Sequence, residues 1–353
     1  MSGPLDRLTV LVPTRNRYPR LLRLLRYLAS AKPALRVVVL DGSSDETDLG
    51  VLDAAVVSAG AQYRRFGPEV SLMAKIVSGL ESVETEYVVW LADDDFTVPR
   101  TLEACAKHLD ENPSCAIVHG RSALAITRPS GNGLEVASIG EYPQRPVAAG
   151  TAAKRLVDHL EHCCSTFYSM HRTEDMRRST RLCLEAGFDL NWGEYFLTSM
   201  SVLPGGVDMI EGLYMVREAH EAQVSVSLGR DYFDIMTAEN AGATYAKLRA
   251  IVVEEIARID GVDAAAAEAV VKQAWWAFLS STLATKYQSK YLAGSSASVS
   301  ARNAVKRIPG ARALVKAFRR TAPGAGFPGS LTNPANPYHA DYEAIRKALE
   351  SPL

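Results

Sequence analysis

The 353-residue chain contains no run of about 18 apolar residues, so nothing in it has the length of a membrane span. Its opening stretch, Met1 to Leu8, lacks the apolar core of a signal peptide. It also lacks a charge imbalance. The 39 Lys and Arg against 40 Asp and Glu leave a net charge of −1, which excludes the global field expected of a nucleic-acid binder. Cysteine is scarce. Cys105, Cys115, Cys163, Cys164 and Cys183 show neither Cys-x-x-Cys nor a Cys/His zinc spacing, and are expected to be free thiols in a reducing cytoplasm. Glycine is missing where a triphosphate-cradling loop needs it, because Pro13-Thr14-Arg15-Asn16-Arg17 follows the first apolar run. No internal repeat is present.

What the chain does have is three consecutive aspartates, Asp93-Asp94-Asp95, directly after the apolar run Tyr87 to Ala92. Adjacent like charges repel, and an apolar strand end offers little water to relax them. Hard oxygen ligands in this arrangement suit Mg²⁺ or Mn²⁺. The competing reading is a solvated acidic turn capping the helix that begins near Pro99.

The first 120 residues alternate strand and helix. Leu8–Val12, Val37–Leu40, Tyr87–Ala92 and Cys115–Val118 are short, near-continuous apolar runs. Between the first two, Leu21, Leu24, Leu25 and Leu28 recur at helical spacing, with Arg20, Arg23 and Arg26 on a more exposed side. Further helices are expected from about Ser71 to Val83 and from Pro99 to Asn112. Strands apolar on both faces imply a mostly parallel α/β sheet flanked by helices. Ligands of such sheets bind beyond the carboxyl ends of the strands, where Thr14-Arg15-Asn16, Asp41-Gly42-Ser43-Ser44 and the aspartates all fall. From about Ala238 the sequence turns Ala-rich and helical, over 243–259 and 264–292. A Gly/Ser-rich loop spans 294–300, and an irregular wrapping segment covers 323–338. The expected division is 1–237 (halves 1–120 and 121–237) and a helical extension, 238–353.

Leu11-Val12-Pro13-Thr14-Arg15-Asn16-Arg17, Val38-Val39-Leu40-Asp41-Gly42-Ser43-Ser44-Asp45 and Tyr87 to Pro99 together resemble the nucleotide-sugar half of family-2-type glycosyltransferases of the GT-A fold. The bacterial subgroup whose metal strand ends in Asp-Asp-Asp-Phe is most similar. The likeness covers the first 120 residues well and extends more loosely to about residue 228. It implies an inverting, metal-dependent enzyme moving sugar from a nucleoside-diphosphate sugar to an acceptor hydroxyl, in bacterial glycan or glycoconjugate synthesis. Alternatives are a non-catalytic sugar-nucleotide binder and, given the missing glycine loop, less readily a sugar-nucleotide pyrophosphorylase.

The resemblance also implies roles for particular residues. Pro13, Thr14, Arg15, Asp41 and Lys75 would meet the base or phosphates, and the aspartates would hold the cation on the diphosphate. Counted back from Pro99, the family's usual first aspartate falls on Ala92. That leaves open whether Asp94, or Asp93 with Asp95, ligates the metal. In Asp189-Leu190-Asn191-Trp192-Gly193-Glu194, Glu194 resembles the general base, with Asp189 as rival. Tyr214 to Ser227 resembles the family's Arg, His, Ser tail, in which Arg217 meets the diphosphate and His220 completes the metal shell.

Residues 301–320 hold seven cations and no acid, interleaved with Val305, Ile308, Leu314, Val315 and Phe318. This pattern fits contact with anionic lipid at the inner face of a membrane, or a packed helix pair with a solvated basic side. The expected location is cytoplasmic, with peripheral contact through this segment.

Overall fold

The expected apolar runs line up as the centre of one sheet in the computed structural model, which describes residues 3–44, 49–131, 133–220, 232–287, 327–328 and 330–352. The basic segment 301–320, the Gly/Ser loop 294–300 and residues 224–227 lie outside these.

Strand β1 (Leu8–Thr14) pairs in parallel with β2 (Arg36–Asp41) on one side and β4 (Tyr87–Trp90) on the other, and β2 pairs in parallel with β3 (Gln62–Arg65). Beyond β4 come β8 (Met170–Arg172), antiparallel to both neighbours, then β6 (Cys115–Ser130), β9 (Gly206–Ala219) and the short β5 (Phe96–Thr97). The β6 and β9 strands are parallel, and β7 (Gly133–Tyr142) returns along β6 as a hairpin. The sheet is thus mostly parallel, with β5, β7 and β8 reversed.

Every residue of β1 is buried, as is all of β2 after Arg36, because helices cover both faces of the sheet. Helix α1 (Tyr18–Ser30) places Leu21, Leu24, Leu25 and Leu28 in one core with α2 (Leu49–Ala59), α4 (Pro99–Glu111) and the C-terminal helix His339–Leu349. Burial of each such leucine contributes ~1.5–3 kcal/mol. The opposite core gathers α3 (Leu72–Glu81), α5 (Ala152–Glu161), α6 (Thr173–Ala186), α7 (Leu190–Ser201) and the helices Ala241–Asp260 and Ala264–Phe278. Residues from beyond 238 therefore complete both cores.

The structure corrects some expectations. Arg23 does not lie on an exposed side of α1: it is 1% exposed, ion-paired with Glu218 and donating to the Leu349 carbonyl at 3.2 Å. A buried guanidinium persists only with such partners. The strand expected over 115–118 continues to Ser130, because β7 and β9 supply ladder partners along its length. The acidic turn is no solvated helix cap: Asp93, Asp94 and Asp95 are all buried, and Val98 precedes α4 instead.

Candidate active site

Four chain segments converge at the carboxyl ends of β1, β2 and β4. Thr14 and Asp41 are register partners at the last position of β1 and β2. The chain leaves β4, turns through a bond from Asp95 N–H to the Ala92 carbonyl (3.1 Å), and enters β5. Pairing of Phe96 with Val216 then sets the aspartates beside the end of β9, where Arg217, Glu218 and His220 follow.

The three carboxylates point three ways. Asp93 accepts from the Thr14 hydroxyl at 2.7 Å and pairs with Arg17 at 3.0 Å. Asp94 pairs with the other terminal nitrogen of Arg17 and faces His220 Nε2 at 3.0 Å. Asp95 accepts from Arg217 Nε at 2.9 Å and from the Glu218 N–H at 3.2 Å. Arg20 donates to His220 Nδ1 at 3.1 Å, so the proton of a neutral His220 is on Nε2, facing Asp94. Burial pushes Asp93 up to about 6, against the pull of Arg17. Burial likewise raises Asp95, with Arg217 opposing. At Asp94 burial is outweighed by the His220 hydrogen bond and the Arg17 charge, which hold it down at about 2.

The Asp41 carboxylate has all its acceptor positions filled. One oxygen takes Ser43 N–H (2.8 Å) and its hydroxyl, and the other takes Tyr18 (2.9 Å) and Tyr63 hydroxyls. Against the cost of burial, these donors keep Asp41 below the ordinary carboxylate range. Contact between Asp41 and a base therefore requires one of these hydroxyls to give way. Lys75 is buried rather than solvated, donating to the Thr14 carbonyl at 2.8 Å, and burial lowers its pKa. Gly42 makes room for it, since a Cβ there would lie 2.7 Å from Nζ. Arg15 is exposed at the rim.

At the start of α7, Asp189 is exposed and caps the helix, its carboxylate accepting from Trp192 N–H at 2.9 Å. Glu194, one turn on, is exposed, yet surrounding protein raises its carboxyl above the ordinary range. Arg217 is the charge that draws it back down. The Arg217 guanidinium lies against the rings of Tyr168 (4.4 Å to the centroid) and Tyr142 (4.7 Å).

Thr14, Asp93, Asp94 and His220 are thus linked through Arg17, Arg217 holds the adjacent Asp95, and Asp41 and Lys75 adjoin through Thr14. Arg17, Arg20, Tyr142 and Tyr168 are members the sequence reading left out. Arg17 and Arg20 carried a signal, being cations three residues apart where α1 leaves the β1 loop.

Asp94 Oδ2 and His220 Nε2, 3.0 Å apart, match adjacent corners of a divalent cation's octahedron with bonds of ~2.1 Å. Asp93 and Asp95 are turned to Thr14 with Arg17, and to Arg217. Asp94 and His220 are therefore the pair that fits, once Arg17 moves off Asp94.

Residues 9–178 match the family model "Glycosyl transferase family 2". No curated protein matches the sequence. Among solved structures, S. aureus TarS 1-349 superposes with a TM-score of 0.51 at 16% identity, covering 97% of this chain and 90% of that one. The same protein in complex with UDP-GlcNAc gives a TM-score of 0.51 at 16% identity, with 97% and 89% covered. Against the longer S. aureus TarS chain the coverage is 97% and 55%, at 15% identity and a TM-score of 0.47. The two superpositions at a TM-score of 0.51 establish the fold. With the family 2 domain over residues 9–178 lying on that architecture, the chain is a GT-A-fold glycosyltransferase.

Proposed function

We propose that this enzyme transfers a sugar from a nucleoside-diphosphate sugar to an acceptor hydroxyl with inversion, and that it falls in the subgroup with an Asp-Asp-Asp-Phe strand end. The observation that carries the reading is the pairing of Asp93, Asp94 and Asp95 with Arg17, His220 and Arg217, beside an exposed Glu194 of raised pKa. The UDP-GlcNAc complex of TarS supports the donor class.

In this reading Arg17, Arg217 and Arg15 meet the diphosphate, and the loops after β1 and β2 receive the nucleoside. Mg²⁺ or Mn²⁺ would be held by Asp94 and His220, and when bound would neutralise charge on the leaving diphosphate. The acceptor oxygen attacks the anomeric carbon as its bond to the diphosphate oxygen breaks, and that electron pair leaves on the diphosphate. Glu194 takes the hydroxyl proton, a base raised toward neutrality being better matched to it. Asp189, committed to capping α7, serves by placing Glu194. Crowding by Tyr142 and Tyr168 limits the water that would otherwise compete as acceptor.

Among the described residues no helix is long and apolar enough to cross a membrane. Cytoplasmic placement with membrane contact through 301–320 is part of the proposal. The deciding experiment is a nucleotide-sugar panel assayed for nucleoside diphosphate release, with the product's anomeric configuration read by NMR. Retained configuration would rule out inversion, triphosphate consumption would indicate a pyrophosphorylase, and binding without release a non-catalytic binder.

A further inference from the structure

A second group of ligating side chains lies at the far end of the sheet, where β6 and β9 begin. Cys115 opens β6, Asp208 is on β9, and His108 is in the last turn of α4. One ligand atom from each lies within 4.8 Å of the others, and His108 Nε2 is 2.7 Å from Asp208 Oδ2. A ladder irregularity brings them together. Cys115 pairs with Gly206 and Ile117 with Val207, leaving Ala116 without a partner. Ala116 and Ile117 both face the α3 core, so Cys115 returns to the α4 side with Val118, the register partner of Asp208. An unbroken ladder would have put Cys115 and Asp208 on opposite faces.

We propose that His108, Cys115 and Asp208 form a zinc site, separate from the glycosyl-transfer centre. Thiolate, imidazole and carboxylate are the donor types of four-coordinate Zn²⁺, and water completes the tetrahedron. Cys115 is buried, whereas the side chains of His108 and Asp208 are 27% and 38% exposed, so an ion can enter from solvent. For bonds of ~2.0 Å the imidazole and carboxylate must part slightly, taking the ion in place of the proton between them. The Cys115 thiol proton is released to solvent, and the His108 proton moves to Nδ1, from which the Asn112 amide N–H, a donor 3.5 Å away, must turn aside. The thiolate and carboxylate charges together balance Zn²⁺. The site would tie α4, β6 and β9 together, β9 being the strand that also carries Arg217.

The test is an anaerobic Co²⁺ titration of the full-length reduced protein, followed by Zn²⁺ displacement. The expected result is tetrahedral cobalt absorption with a thiolate-to-cobalt charge-transfer band that Zn²⁺ removes. Cys115→Ser should abolish that band, although Cys105, Cys163, Cys164 and Cys183 remain. His108→Ala and Asp208→Asn should each weaken Co²⁺ binding by about tenfold or more, and Zn²⁺ should raise Tm in the wild type but not in His108→Ala. Ions at Asp94 and His220 give no sulfur band, so the two sites are read separately. Should Cys115→Ser fail to fold, His108→Ala decides the matter with the thiol in place. No charge-transfer band in the wild type, a band surviving Cys115→Ser, or unchanged Co²⁺ affinity in His108→Ala would overturn the proposal.

Discussion

Arg17 holds Asp94 by the same carboxylate oxygen that faces His220, so a guanidinium occupies the position where a divalent cation would bind. The two cations compete for one oxygen, and the competition can be measured directly.

Arg17→Met should raise Mn²⁺ affinity in the absence of nucleotide by roughly tenfold, equivalent to ~1.4 kcal/mol. Without metal the variant should lose Tm, because Asp93 and Asp94 are left buried without their partner. Mn²⁺ should restore part of that loss, and nucleoside diphosphate should bind more weakly. Mn²⁺ electron paramagnetic resonance and thermal melts check both. Equal Mn²⁺ affinity in the two proteins would show that Arg17 and the cation do not compete.

Glu194→Gln should lower kcat by ~10²–10⁴ while nucleotide affinity stays nearly constant, since the loss falls in the transition state. The raised pKa of Glu194 gives the sign of the pH effect. A base works ionised, so kcat/KM should fall with decreasing pH, from a point above the ordinary carboxylate range. Asp189→Asn should retain turnover, and Asp189→Ala should cost ~1 kcal/mol of stability through the lost cap. Rate measurements across pH separate the two acids, and a large loss confined to Asp189→Asn would reverse their roles.

Gly42→Ala should destabilise by ~1–3 kcal/mol, because its methyl group meets Lys75 Nζ in a buried site. In a Lys75→Ala background the same change should be nearly silent. Urea denaturation of the four proteins forms a double-mutant cycle, and additive effects would contradict the contact.

The basic segment 301–320 should bind anionic vesicles in a salt-sensitive way and ignore zwitterionic ones, screening shortening its field to ~8 Å at physiological ionic strength. Replacing Arg312, Lys316, Arg319 and Arg320 by Gln should weaken that binding and spare turnover on a soluble acceptor. Indifference to anionic vesicles at low salt would leave a packed helix pair as the reading. Vesicle co-sedimentation across a salt series is the measurement.

Short-range pattern made the sheet's first half legible. Buried runs such as Val37–Leu40 and the leucine spacing of α1 carry their own periodicity, and the polar clusters marked the strand ends. Partnerships across the chain were not legible. Nothing near Arg23 announces Glu218, 195 positions away, so a helical arginine read as exposed. The β6–β7 hairpin did leave a trace, the sequence Gly131-Asn132-Gly133, but the strands beside it lack strict alternation. The candidate zinc ligands evade any motif because they span a hundred positions and depend on an irregular ladder.

The buried Arg23 has a consequence for the order in which the molecule assembles. Its guanidinium joins α1 to Glu218 and to the Leu349 carbonyl, and Glu218 in turn donates its N–H to Asp95. Contacts so distant along the chain close late, after the loop entropy between them has been overcome. The first strands and helices can therefore collapse well before the aspartate turn is fixed. Catalytic competence would be the last property gained on refolding, and the first lost when the C-terminal helix lifts from α1.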